Sequence, residues 1–333
     1  MMSEPKGQSA GDIQVSGESS NHDPIFILGV MPRSGTNYLH DLLCLHPDCA
    51  AAREPIHEDL FLQHADLLLA YVAAVRRAWD PGWGTFDDAL PGDLQTALGD
   101  GLISFLWVDR DRRLVTKSPS VRNLGVFFTL FPRARLLILI RDGRSAVQSS
   151  MATFGWDFDT AAHLWAEGAE EIRRFDRAHG HRNLPYRIVR YEDLLDDVQT
   201  ALTEILAFLD LDPDRFDFAS AVRLPVRGSS AFFGPGRTSV NWDPVDRDAA
   251  FAPKERWGDW GPALLQRFEW IAGDQLRHFG YQGSAARPGT LMWPMRQRLL
   301  DWRWRSGRFA RRAGYWLQRR ARTARAAAGG RGV

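Results

Sequence analysis

Four short polar clusters each close an apolar run in this chain. Met31-Pro32-Arg33-Ser34-Gly35-Thr36 follows Ile25–Val30, and Lys117-Ser118-Pro119 follows Arg113–Thr116. Arg141-Asp142-Gly143-Arg144 follows Leu136–Ile140, and Arg190-Tyr191-Glu192-Asp193 follows Tyr186–Val189. Lys117, Arg141 and Arg190 come directly after their runs, and Arg33 lies inside the first loop. These are residue types that hold anions. Gly35 lets the backbone approach a ligand closely, the amides of Ser34 to Asn37 open the next helix, and Ser34, Thr36 and Asn37 add side-chain donors. Arg33 adds a fork able to take two oxygens at once. A Walker loop needs Gly, four residues, Gly, then Lys and Ser or Thr. Here Gly29 and Gly35 stand one residue too far apart, and Thr36 follows Gly35 with no Lys between. Apart from Asp142, no acid follows an apolar run in the place where Mg²⁺ would be held. The loop reads as a relative of the phosphate-binding loop whose ligand needs no metal.

The elements that must position these clusters are legible from periodicity. The four runs are short and apolar, as expected for parallel strands covered on both faces. Helical patterns lie between and after them, at Asn37–Leu45, Glu58–Trp79, Leu90–Leu106, Ser145–Met151, Thr160–Ala178, Asp193–Leu209 and Gly261–Tyr281. Alternation of this kind predicts an α/β domain, a three-layer fold with a central parallel sheet flanked by helices. Ligands of such sheets bind outside the carboxyl ends of the strands, so the four clusters converge on one rim. Residues 224–256, rich in Gly, Pro, Ser and Asp, read as a long functional loop.

The chain has 333 residues, 44% of them hydrophobic, enough for a sizeable core. No run of ~18 uncharged apolar residues predicts a membrane span. Residues 1–23 are polar and read as a disordered lead-in, without the apolar core of a signal peptide. Cys44 and Cys49 stand too close, beside a helix end, for a structural disulfide, and a reducing, cytoplasmic setting is expected. Residues 24–285 read as the domain and 286–333 as a basic tail. From Arg287 onward the sequence holds thirteen Arg and one acid, Asp301. The chain's net charge of +1 therefore leaves about −11 for residues 1–286. Only three of the 42 basic residues are Lys (Lys6, Lys117 and Lys254). Lysine supplies a compact ammonium where arginine supplies a planar fork.

Two of the clusters together resemble sulfotransferases that use 3′-phosphoadenosine 5′-phosphosulfate (PAPS). Pro32-Arg33-Ser34-Gly35-Thr36 is similar to that family's 5′-phosphosulfate loop. The Arg form, followed by His46-Pro47-Asp48, is closer to tyrosylprotein and bacterial sulfotransferases than to the cytosolic small-phenol enzymes. Leu137 to Ser149 resembles the 3′-phosphate motif, with Arg141 after the strand and Ser149 eight positions on. The motifs lie about 105 residues apart, in order, and the resemblance covers roughly residues 24 to 282. It implies a P-loop NTPase-like fold, PAPS as donor and no metal. It further implies cofactor contacts from Arg33, Ser34, Gly35, Thr36, Asn37, Arg141, Ser149, Tyr191, Arg227, Gly228, Ser229 and Lys254. Lys254 sits where the cytosolic enzymes carry the Lys of Arg-Lys-Gly, but Pro253 and Glu255 replace its neighbours, so Arg227 and Arg256 stand as alternatives.

Sulfuryl transfer is in-line and builds negative charge on the bridging oxygen, which calls for cations there and a base at the acceptor. Arg33 and Lys117 are the candidate cations. Members of the tyrosylprotein-like branch carry a Glu after His-Pro-Asp, which falls here at Glu54; His57 and Glu58 compete with it. The acceptor expected is a small molecule, a carbohydrate or a glycolipid, with walls from residues 60–83 and 232–242. In the tail, Met295, Leu299, Trp302, Ser306, Phe309, Ala313 and Trp316 recur at helical spacing among Arg residues. That is the pattern of an amphipathic helix lying on an anionic membrane surface, as a peripheral protein, or packed on the acidic domain. A Mg-ATP-dependent small-molecule kinase and a nucleic-acid-binding module are the alternatives. The missing Walker Lys opposes the first, and the second leaves Lys117 and Glu54 without a role.

Overall fold

Ile25–Gly29 (β1) has no polar side chain, and it is buried along its whole length in the computed structural model. The structure describes residues 23–80, 89–225, 256–283 and 292–307, with 82, 84, 227 and 254 singly. Ile25 and Ile27 point into one apolar layer, Phe26 and Leu28 into the other. This is the period-two alternation of a strand with helices on both sides. Cys49–Ala51 (β2), Arg113–Ser118 (β3), Arg135–Ile140 (β4) and Tyr186–Arg190 (β5) join it. The five strands form one parallel sheet in the order β2-β3-β1-β4-β5. Ile27 lies opposite Lys117, and Gly29 opposite Leu139, so the carboxyl ends of β1, β3 and β4 share one edge.

Thr36–Leu43 (α1), Tyr191–Asp196 (α7), Val198–Phe208 (α8) and Phe218–Arg223 (α9) cover the Ile25/Ile27 face. Ala65–Ala78 (α2), Leu90–Leu106 (α3), Phe127–Leu130 (α4), Gly143–Phe154 (α5), Phe158–His179 (α6) and Pro262–His278 (α10) cover the other. The helix after β1 therefore goes to one face, while those after β3 and β4 go to the opposite face. The loop leaving β1 opens a crevice between them. On the second face Trp165 is fully buried and its indole N–H donates to Arg141 O at 3.1 Å. Helix α6 comes so near the β1 exit that a Cβ on Gly168 would stand 2.2 Å from Val30 O.

Several elements differ from the sequence expectation. Strand β2 was not expected, because Cys49-Ala50-Ala51 is too short and too small to carry a period; its ladder to β3 makes it a strand. The helix expected over 58–79 begins at Ala65, after a 3-10 turn at Leu62–His64. Asp59 ties this segment to β3, and Leu60 after it is left-handed (φ 53°). The Asp59 carboxylate accepts from Thr116 Oγ1 at 2.7 Å and from the Phe61 amide at 2.9 Å. The helix expected over 193–209 breaks at Asp197 (φ −146°), whose side chain caps α8 through the Thr200 amide at 3.0 Å. Asp217 caps the unforeseen α9 in the same way, accepting from the Ser220 amide at 2.9 Å. Most of residues 224–256, and all of 1–22, lie outside the described residues. Both cysteines are free, and burial pushes each thiol up to about 12.

Candidate active site

The loop after β1 ties itself before it touches anything else. Ser34 Oγ donates to Met31 O at 2.6 Å, and the Met31 amide donates back to Ser34 Oγ at 3.2 Å. The Ser34 side chain, expected to face the ligand, is thus used inside the loop, leaving its backbone to line it. Arg33 (φ 75°) and Gly35 (φ 97°) are both left-handed. At Gly35 a Cβ would stand 2.3 Å from the Tyr191 ring, so only glycine lets that ring close over the turn. The first α1 bond runs from the Leu39 amide to Gly35 O at 3.2 Å, which leaves the preceding amides for an anion, as at other helix starts.

Three guanidiniums meet at this turn. Arg33 Nε donates to Ser149 Oγ at 3.1 Å, and Arg141 Nη1 donates to Arg33 O at 2.7 Å. Arg141 also lies over the Tyr191 ring, 4.8 Å from its centroid. Arg256 completes the group. Burial first, then the charges of Arg141 and Arg256, push Arg33 down from the ordinary arginine value to about 9. Burial and then Arg141 push Arg256 down to about 10. Mutually repelling cations held together by the fold are a site prepared for a multiply charged anion. The segment carrying Arg256 is anchored on α5: Trp257 stacks on Arg144 at 4.0 Å, and the Trp260 indole donates to Gln148 Oε1 at 2.8 Å. Asp142, the acid considered for Mg²⁺, caps α5 through the Arg144 amide and clamps the Arg144 guanidinium at 2.6 Å.

A second group lies on the β3 side. Lys117 is 5% exposed, and its ammonium donates to His57 O at 2.5 Å. Burial pulls its pKa below the ordinary lysine value, against the opposing charge of Glu58. The same Glu58 acts on Arg33, which puts that carboxylate within electrostatic reach of both cations. Lys117 borders a cavity of about 50 Å³ with Asn37, His40, Asp41, Glu54 and His57. Beside it, the buried Oδ1 of Asn37 and Oγ of Ser118 have no hydrogen-bond partner among the described residues. Buried polar atoms left in this way are filled by a ligand or water in a working protein.

The structure parts the remaining expected residues. Arg227 forks onto Asp41 at 2.8 and 2.5 Å on the Lys117 side, which raises its pKa. Lys254 pairs with Asp196, while its carbonyl accepts from Ser145 Oγ at 3.2 Å. Gly228 and Ser229 lie outside the described residues. Arg256, named in sequence only as an alternative to Lys254, is the late-loop cation that stands beside Arg141. Its signal was the Arg-Trp-Gly-Asp-Trp run, whose aromatics fix the segment on α5.

A family model for the sulfotransferase family matches residues 24–215. The chain belongs to the sulfotransferase family. Protein-tyrosine sulfotransferase 1 of Danio rerio is 21% identical over 282 residues, covering 80% of this chain and 74% of that protein. Protein-tyrosine sulfotransferase A of Caenorhabditis elegans is 25% identical over 208 residues, and the match spans 51% of its length. Among solved structures, the sulfotransferase domain of the Synechococcus PCC 7002 olefin synthase aligns at 23% identity. That alignment covers 79% of this chain and 97% of that one, with a TM-score of 0.48. Mouse sulfotransferase SULT7A1, solved with PAP, aligns at 12% identity, covering 77% of this chain and 85% of that one, with a TM-score of 0.41. Family membership makes this sulfotransferase an enzyme whose sulfuryl donor is PAPS. The residues present fit that donor: an arginine cluster of the kind a phosphate takes, a glycine turn, and orphaned donors and acceptors beside Lys117.

Proposed function

We propose that this sulfotransferase moves the sulfuryl group of PAPS in line to a hydroxyl of a carbohydrate or glycolipid, with protein cations in place of a metal. When bound, PAPS supplies an activated sulfuryl group on a phosphate leaving group. Arg141, Arg256 and Ser149 hold the 3′-phosphate end, and Arg33, which donates to Ser149, links that end to the β1 loop. Backbone amides 34–37 line the 5′ side. Lys117, buried and aimed through the strand end at the cavity, offsets charge gathering on the leaving oxygen. Glu54 borders the same cavity and takes the acceptor proton; His57 borders it as well, and Glu58 serves the two cations by charge. The single observation that carries the reading is the burial of Lys117 beside a small polar cavity, in a fold whose β1 turn gathers three arginines.

The cavity's polar lining, with Asn37, His40, Asp41, Glu54, His57 and Arg227, favours an acceptor rich in hydroxyls. The protein-tyrosine sulfotransferases among its relatives favour a second acceptor, a tyrosine phenol. Transfer of radiolabelled sulfate from PAPS is the test, to a carbohydrate and glycolipid panel beside tyrosine peptides, with and without EDTA. Labelled sugar in both conditions supports the reading. Labelled peptide alone replaces the acceptor, and loss of transfer in EDTA removes the metal-independent mechanism.

A further inference from the structure

The tail helix, residues 293–307, uses only one of its faces on the domain. Arg267 on α10 is buried; its guanidinium pairs with Asp159 at 2.9 Å and Asp301 at 2.7 Å and donates to Gln297 Oε1 at 2.9 Å. The Trp270 indole donates to Asp301 Oδ2 at 2.8 Å, Trp293 meets Trp270 edge-on at 5.3 Å, and Trp304 stacks on His163 at 3.8 Å. The one acid after Arg287 is thus neutralised inside this contact. The stripe singled out in sequence turns the other way: Met295, Leu299 and Trp302 are 61%, 58% and 66% exposed, and Met292, just before the helix, is 66% exposed.

At 100° per residue the three helical side chains form one row along the outer face. Arg296 and Arg303 fall on one side of it, Arg298 and Arg305 on the other, and all four are exposed. An apolar row edged on both sides by cations matches a bilayer surface, with acyl chains below the row and anionic headgroups at its margins. No helix among the described residues is long and apolar enough to cross a membrane. We infer that the outer face of helix 293–307 docks the enzyme on an anionic lipid surface, with the Asp301–Arg267 contact fixing the domain to it. The charge complementarity favours this occupant: the same face of a second copy would set arginines against arginines.

The test is co-sedimentation of the full chain with vesicles of phosphatidylcholine alone or with about one third phosphatidylserine, at low and high salt. Leu299→Gln/Trp302→Gln is the partner variant, with thermal unfolding as the folding control. Both residues are exposed and outside the donor site. Binding to the phosphatidylserine vesicles, weakened at least about tenfold by the double substitution or by high salt, is expected. Equal binding to neutral vesicles, no sedimentation of a folded wild type, or salt-sensitive binding to duplex DNA instead would overturn the inference. So would self-association in lipid-free solution abolished by the double substitution.

Discussion

Replacing Arg33 with Met should make the ligand-free enzyme slightly more stable while removing its response to the nucleotide. The shift of Arg33 from the ordinary arginine value to about 9 would correspond to ~5 kcal/mol against the charge if nothing relaxed. Arg33 is half-buried as a whole, and hydration and relaxation around its charge cut this to ~2 kcal/mol. A cation whose folded pKa lies below its unfolded value carries its full penalty below the folded value. Neutral pH lies in that range, and relief comes only as pH rises from about 9 toward the ordinary arginine value. Met keeps the length and the left-handed backbone cost but loses the Nε bond to Ser149, ~1 kcal/mol. The balance is a gain of ~1 kcal/mol, or a rise of ~2–4 °C in Tm for a domain of this size. Adenosine 3′,5′-bisphosphate at about 100 times its Kd should add ~2.7 kcal/mol to the wild type and far less to the variant. The two melting curves therefore exchange order when ligand is added. Scanning calorimetry at neutral pH, with and without the bisphosphate, reads both effects. A variant less stable than wild type without ligand, or one with an undiminished ligand shift, would refute the idea of a strained cation cluster relieved by its anion.

Other substitutions probe the rest of the site. Burial pushes Asp59 up from 3.8 to about 6. A carboxyl raised in this way costs stability as pH climbs through that window, up to ~3 kcal/mol above it. Asp59→Asn should therefore be ~1–2 kcal/mol more stable than wild type at about pH 8 and equal to it near pH 4, by urea titration; a constant difference would show that the charge is not the cause. Gly35→Ala sets a methyl against the Tyr191 ring at a left-handed residue, and should cost at least ~2 kcal/mol and most bisphosphate affinity. Normal calorimetric binding by this variant would place the anion elsewhere. Lys117→Met should lower kcat by ~10²–10³ with the bisphosphate Kd within a few-fold, since it faces the cavity apart from the arginine cluster. A parallel loss of binding would make it a nucleotide-holding residue only.

The apolar runs of β1 and β4, the Gly35 turn and the arginine after β4 were legible in the sequence. Each is a local matter: two-sided burial needs an unbroken apolar run, and an anion turn needs glycine beside helix-opening donors. Lys117 after β3 was legible for the same reason, although its strand is weakly patterned. Tertiary structure decided what the long, flexible cations do. Arg227 and Lys254 were expected at the cofactor, with Arg256 only an alternative, yet Asp41 and Asp196 take the first two and leave Arg256 beside Arg141. An arginine or lysine side chain reaches over several ångströms, so its partner depends on which carboxylate the fold brings near, not on its neighbours in the chain. Asp59 cut short the helix expected from residue 58, and a three-residue strand formed at β2, because bonds to β3 outweighed local propensity. The tail's helical period was plain from residue spacing. Which face it buried was set across the chain by Arg267 on α10, a buried cation that already holds Asp159 and takes Asp301 and Gln297 of the tail as further partners.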